Sequence, residues 1–244
     1  MRRAIRRVLY LVLVLLFWEW VGRGHDRIRL FVSHPTRIAL FVKEHYANLL
    51  FDFAYTFVET VVGLALAALI ALAIAVLSMR SDRLLKAILP FALIVQIVPI
   101  LVLAPFVTML FGVDIFSKIV MTGVVGVFPI FITLIDVYRR LPQFFGEMIA
   151  IYGISPDIRV RKIILPYLLP QFLSSLRLGA TVCLLGAIVA EFTGARYGLG
   201  KDIFLASIRI DPDLLITAIF LCGLMGFALF HSIRAAEAFL VKWR

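Results

Sequence analysis

Glu59, Gln96 and Glu191 are polar residues set within or at the end of long apolar runs. A carboxyl or amide group in such a place is expensive to keep out of water, so it marks a solute pathway by default. Glu59 has Thr56 and Thr60 beside it, and Gln96 precedes Pro99 and Pro105. Proline withholds a backbone donor and frees carbonyls, so the Gln96–Pro99 stretch is read as a bent helix whose exposed backbone can line a cavity. Glu59, Gln96, Pro99 and Glu191 are therefore the candidate substrate-pathway residues. Each also has a plainer reading. Glu59 can reach the membrane interface, Gln96 can bond a neighbouring helix, and Glu191 can pair with Arg196 at the surface. Arg177 can snorkel out of its span. Gly179 and Gly186, seven residues apart, suit close helix packing at a dimer seam or within one subunit.

Catalytic chemistry is not visible. The chain has no glycine loop ending in Gly-Lys-Ser/Thr, no Ser/His/Asp or Cys/His set and no zinc spacing. His25, His34, His45 and His231 are scattered, and Cys183 and Cys222 sit in apolar runs as small core residues. The expectation is a non-catalytic chain with no metal site and no cofactor of its own.

The elements that position these residues are membrane helices. Of 244 residues 63% are hydrophobic and 16% charged, and the mean hydropathy is +1.04. Soluble domains run near half apolar. The net charge of +10 is read as basic residues at span ends, not as a nucleic-acid surface, because aromatic and basic residues do not interleave. Six apolar segments stand out, at about 8–21, 53–79, 85–111, 115–137, 168–192 and 214–241. The start is basic and then apolar but lacks a small-x-small cleavage site, so it is read as a retained first helix. With the N-terminus inside, 15 Lys and Arg fall on inner segments and nine on outer ones, which supports both termini inside. In that count Lys118 is an outer-loop charge. The outer segment "SHPTRIALFVKEHYANLL" reads as a short amphipathic stretch at the membrane surface.

The inner segment at about 138–167 is the most structured part of the pattern. In "LPQFFGEMIAIYGI", Pro142 suits a first turn, and Phe144, Phe145, Met148, Ile149 and Tyr152 can share one apolar face. Gly153 can end the helix in the left-handed region, and Pro156 prevents easy continuation. "RVRKIILP" follows with inner-face anchors and re-enters the membrane at Pro166. A short helix with exposed apolar side chains needs a partner surface, lipid or protein.

Glu147, then Gly153, then Ile163, Leu165 and Pro166 match the spacing of the cytoplasmic "EAA" signature of ABC-importer permeases, without a gap. The two alanines are replaced by Met148 and Ile149. From about Ser33 onward the chain resembles the branch of that family importing nitrate, sulfonates, taurine and pyrimidine precursors. "SHPTRIA", "PFALIVQIVPILVLAPFVTMLFGVDIFSKI" and "VAEFTGARYGLGKDI" carry the likeness. Gln96 and Pro99 followed by "LAP" lean toward the pyrimidine-precursor importers.

The resemblance implies an all-α polytopic protein of about six transmembrane helices, one permease domain over residues 1–244. It implies a multi-pass protein of the bacterial inner membrane, working by alternating access. Glu147, Met148, Ile149, Tyr152, Gly153, Ile163, Leu165 and Pro166 would couple it to two copies of a separate ATPase, which would bind ATP and Mg. A second permease copy, forming a homodimer, and an extracytoplasmic binding protein complete the expected assembly, with no nucleic acid. The alternatives from other classes are a self-contained secondary transporter or channel, with Glu59 as its coupling carboxylate, an integral-membrane enzyme, and a structural membrane protein.

Overall fold

In the computed structural model five of the six apolar segments are essentially helical and the third forms two helices, and the described residues, 2–24, 32–79 and 81–241, contain no strand. Their order is α1 (Arg2–Arg23), α2 (Pro35–Met79), α3 (Asp82–Ile97), α4 (Ile100–Phe111), α5 (Ile115–Arg139), α6 (Gln143–Ile151), α7 (Pro156–Ile158), α8 (Leu165–Glu191), α9 (Leu199–Arg209) and α10 (Pro212–Leu240). A π-helical stretch, Arg159–Ile164, joins α7 to α8. Among the described residues, four helical stretches are long and apolar enough to cross a bilayer: α2, α5, α10, and α8 with the stretch before it.

Two expectations change. The proposed surface stretch after the first segment is not separate from the second span. It is the leading arm of α2, a 45-residue helix kinked at His45, where φ is −114° and ψ 15°. The third apolar segment is not one helix. It breaks at Val98, whose ψ of 124° is extended, because a residue before proline is pushed away from helical geometry. Pro99 then starts α4, while Pro90 and Pro105 lie inside helices. "RVRKIILP" does not re-enter at Pro166 as a fresh helix, because α7, the π stretch and α8 follow one another without interruption. The basic residues Arg27, Arg29, Arg80, Lys242 and Arg244, with His25, lie outside the described residues, as does the side chain of Gln96.

The core is the α2–α5–α8 bundle. Lipid tails are as apolar as leucine, so helices associate in a bilayer through close van der Waals packing at small residues. Ala67, Ala71 and Ala75 repeat at helical spacing on one face of α2 and are fully buried. A Cβ on Gly63 would collide with Thr122, and one on Gly126 with Cys183 and Ala67. These contacts make α2 and α5 parallel. α8 runs back against both: Gly179 packs on Ile130 and Leu64, and Gly186 on Thr122 and Val125. Both glycines thus serve packing within the subunit. Arg177 does not snorkel but pairs with Glu237 of α10 at 3.1 Å, with its guanidinium carbon 5.6 Å from the centre of the Phe230 ring.

The register also defines two ends. Met79, Tyr138 and Arg159 meet at one, where the Tyr138 hydroxyl accepts from Arg159 Nη2 at 2.9 Å. That end carries α6. Asp52, Lys118 and Glu191 lie at the far end.

Candidate functional site: a polar cluster at the far end of the bundle

Asp52, Thr56 and Glu59 are spaced i, i+4, i+7, which puts them on one face of α2. All three are buried. Opposite them is the start of α9. A helix leaves its first N–H groups without intrahelical partners, and here three successive ones are taken by side chains from elsewhere. Gly198 N–H donates to Asp52 Oδ1 at 2.7 Å, and Leu199 N–H to Thr56 Oγ1 at 2.8 Å. Gly200 N–H donates to Glu191 Oε2. Thr56 Oγ1 in turn donates to Glu191 Oε1 at 2.6 Å. The positive end of the α9 dipole favours carboxylates at this position. A Cβ at Gly198 or Gly200 would occupy the space of the Glu191 carboxylate, and Gly198 has φ +124°. Glycine is required at both places.

Lys201 closes the outer side of the cluster, 3.1 Å from Asp52 and from Asp202. Burial opposes the Lys201 charge, but Asp202 and Asp52 outweigh it and hold the ammonium above the ordinary lysine value. Burial, with the neighbouring Asp52 charge next, pushes the Asp202 carboxyl up to about 6. A cavity of about 420 Å³ opens beside these groups and is also lined by His45, Arg196 and Arg209.

Deeper in, Glu59 and Lys118 are each 1% exposed. Glu59 Oε2 and Lys118 Nζ have no hydrogen-bond partner, nor has Thr122 Oγ1. Both Glu59 and Lys118 line a second cavity of about 260 Å³, together with Tyr55, Asp114, Arg196 and Tyr197.

The structure therefore brings Glu59 and Glu191 together and separates them from the other two pathway candidates. Glu59 is inside the bundle, not at the interface, and Glu191 does not pair with Arg196 at the surface. The break at Pro99 lies lower, beside Val124, Val125 and Phe128, where Val98 and Ile100 line an apolar cavity of about 170 Å³. Lys118 was missed as a site residue. It is an interior residue of α5, not a loop charge, and its place three residues into an apolar run was the available signal. Asp52, Thr56 and Lys201 were also missed; the i, i+4, i+7 spacing on α2 carried the signal for Asp52 and Thr56, and none pointed to Lys201 on α9.

At the opposite end α6 forms as the sequence predicts. Pro142 precedes it and Tyr152 caps it. Gly153 follows at φ +56°, and Ile154 N–H donates to the Ile149 carbonyl at 3.1 Å. Phe144, Ile151 and Tyr152 are exposed, the last two at 78% and 76%. Glu147 is also exposed, and Met148, Ile149, Ile163 and Leu165 are half-buried. The Phe145 ring packs edge-on against Tyr167 of α8, with centroids 5.9 Å apart.

The family model for the binding-protein-dependent transport system inner membrane component matches residues 63–243. The chain belongs to this family. The permease resembles a probable ABC transporter permease protein of Haemophilus influenzae, with 29% identity over 95% of this chain and 94% of that one. It is 26% identical to the formylaminopyrimidine transport permease protein ThiX of Halalkalibacterium halodurans, over 99% of this chain and 97% of the relative. It is 25% identical to the putative aliphatic sulfonates transport permease protein SsuC of Bacillus subtilis, over 95% and 84%. Among solved structures, a chain of the inward-facing MetNI methionine ABC transporter in its native crystal form aligns with a TM-score of 0.64. That alignment covers 79% of the permease and 97% of the other chain at 19% identity. At that identity the likeness is one of fold. The permease is an all-α, multi-pass membrane subunit of an ABC importer, and transport, not catalysis, is its role.

Proposed function

We propose that the permease forms the solute pathway of its importer by alternating access, as one membrane domain over residues 1–244, and that α6 docks on a separate ATPase subunit. The observation that carries this reading is the exposed apolar face of α6. Phe144 and Ile151 are held out on a nine-residue helix, and Tyr152 at its C-cap, and such a surface needs a partner. Glu147, Met148, Ile149, Tyr152 and Gly153 supply the docking surface. Ile163, Leu165 and Pro166 carry its movement into α8. ATP and Mg belong to the ATPase, of which two copies pair with two permease copies forming a homodimer.

On this reading α6 and both termini are cytoplasmic, in a bacterial inner membrane. The end holding Asp52, Glu59 and Glu191 faces the extracytoplasmic binding protein. The contact of Phe145 with Tyr167 ties α6 to the base of α8. α8 has 27 residues and at 1.5 Å per residue reaches about 40 Å, ending at Glu191. A displacement at the docking helix is thereby delivered to the cluster that holds α9. The relatives transport different solutes by name, so the solute is decided by the pathway and the binding protein, not by the fold.

The test is co-purification of the permease with the ATPase subunits of its own cell, counted by native mass. Tyr152→Asp and Glu147→Arg are expected to release the ATPase while leaving thermal unfolding of the permease unchanged. Retention of two ATPase chains by both variants would remove α6 from the docking role. Solute uptake into vesicles without ATP would favour the secondary-transporter alternative.

A further inference from the structure

We propose that the cavity of about 420 Å³ beside Asp52 and Lys201 seats the headgroup of a zwitterionic membrane phospholipid that carries a primary ammonium. Its phosphate lies on Arg196 and Arg209, and its ammonium on the side of Asp52 and Asp202. The inference uses the chain's place in a membrane and goes beyond the transport reading.

Depth decides the kind of partner. α10 has 29 residues and reaches about 43 Å at 1.5 Å per residue. The hydrocarbon core of a bilayer is about 30 Å thick, so the first turn of α10 lies at headgroup level. Leu214 in that turn lines the cavity, with Phe51 and Asp52 of α2 and Leu205 of α9. Phe51 and Tyr197, both exposed, pack edge-on in its wall with ring centres 4.8 Å apart. Aromatic side chains gather at this level of a membrane. Beside Arg209, Ile208 and Ile210 are exposed as well. Ile210 ends α9 in the left-handed region, at φ 54° and ψ 50°, where a β-branched residue is strained and glycine is not. An isoleucine held there supplies apolar surface, and at this depth that surface meets the glycerol and first acyl carbons of a lipid.

The charges fit a zwitterion better than either ion alone. Asp52 and Asp202 share the Lys201 ammonium, each at 3.1 Å, which leaves one carboxylate charge over. Asp211 accepts from the first N–H groups of α10. Glu191, adjoining the cluster, accepts from Thr56 and Gly200. The His45 ring nitrogen lies 3.1 Å from the Phe41 carbonyl. Arg196 and Arg209 line the same cavity and make no ion pair or hydrogen bond among the described residues. Two open guanidiniums suit an oxygen-rich anion, above all phosphate. A bare anion would face the carboxylates, however, since Asp52, Asp202, Asp211 and Glu191 outnumber Lys201, Arg196 and Arg209. An ammonium joined to the phosphate by a short link answers that excess. A cavity of about 150 Å³ holds benzene, so this one admits phosphate, ethanolamine and glycerol together. A carboxylate of a docked protein would satisfy the guanidiniums, but not the acidic excess or the apolar turn at headgroup depth.

The test is native mass spectrometry of the delipidated permease, with whatever subunits accompany it. It is titrated with phosphatidylethanolamine, phosphatidylglycerol and phosphatidylcholine of equal chain length. Phosphatidylethanolamine is expected to fill one saturable site per chain. Phosphatidylglycerol lacks the ammonium and phosphatidylcholine its N–H donors, so each should bind at least about threefold more weakly, the scale of one partly exposed charged contact. Arg196→Gln and Arg209→Gln should each weaken phosphatidylethanolamine about three- to tenfold. Both side chains are exposed, so these variants should melt with wild type. Lys43→Gln removes an exposed cation that does not line the cavity and should bind as wild type. Equal or tighter binding of phosphatidylglycerol overturns the zwitterion, and lipid binding indifferent to both arginine variants overturns the site. If those variants keep the lipid and instead lose the extracytoplasmic binding protein, the surface is a protein dock and the proposal fails. The lipid count does not depend on whether an ATPase co-purifies, so this proposal and the importer reading fail separately.

Discussion

Thr56 of α2 and Glu191 of α8 are 135 residues apart in sequence and joined by a buried hydrogen bond of 2.6 Å. Through the same hydroxyl oxygen Thr56 also accepts from the Leu199 N–H. One small side chain thus connects two membrane helices to the first turn of a third.

Thr56→Val keeps the shape and deletes both bonds, leaving the Leu199 N–H unpaired and Glu191 without one donor. The expected cost is about 1–3 kcal/mol, read as a lowered melting temperature of the detergent-purified protein. Thr56→Ser retains the oxygen and should recover most of the loss. If valine melts with wild type, the cluster does not hold α9.

Gly126→Leu tests a seam where α2, α5 and α8 meet. A Cβ there already overlaps Cys183 and Ala67, and overpacking of this kind costs about 1–3 kcal/mol or more. Gly223 meets no atom within 4 Å of an added Cβ, so Gly223→Ala is the control and should melt at or above wild type. Equal melting of Gly126→Leu would show that the helices separate freely at that point.

Arg177 of α8 and Glu237 of α10 form an ion pair, with only 26% and 12% of their side chains exposed. Removing one partner leaves a poorly hydrated charge, and breaking a buried pair costs about 3–5 kcal/mol at full burial. Arg177→Met and Glu237→Leu should each destabilise the protein, and the double variant should be more stable than the sum of the singles. Strict additivity in that cycle would mean that the pair does not interact.

Asp202 supplies a pH dependence outside the spans. Its carboxyl is raised to about 6 in the fold, by burial first and by Asp52 second. A carboxyl raised on folding binds its proton more tightly in the native state, so its favourable contribution is complete below about pH 4 and lost as pH rises through about 6. Asp202→Asn removes that term. Its stability relative to wild type should therefore improve between pH 4 and 7, as seen in paired thermal melts across that range. A gap that stays constant with pH would assign the titration elsewhere.

The α6 segment shows how much of a site a local pattern can carry. Pro142, the apolar face and Gly153 were readable as a short bounded helix because proline, glycine and a 3.6-residue period act within a few residues of each other. The break at Pro99 was readable for the same reason, since proline constrains its immediate neighbour. Lys118 was not. Its distance from a span end is the same whether it faces the loop or the interior, and only the rotation of α5 against α2 separates the two.

The sequence by itself determined the class of the protein, the number and placement of its apolar segments, the α6 helix and the family spacing from Glu147 to Pro166. Helix formation and entry into a bilayer depend on properties summed along about 20 neighbouring residues. Only the tertiary structure decided that Asp52, Thr56 and Glu191 converge on the first turn of α9, and that Glu59 and Lys118 share a cavity wall. Those meetings depend on the depth and rotation of each helix. Both are set where small residues from distant segments interlock, at Gly63 with Thr122, Gly126 with Cys183, and Gly179 with Ile130.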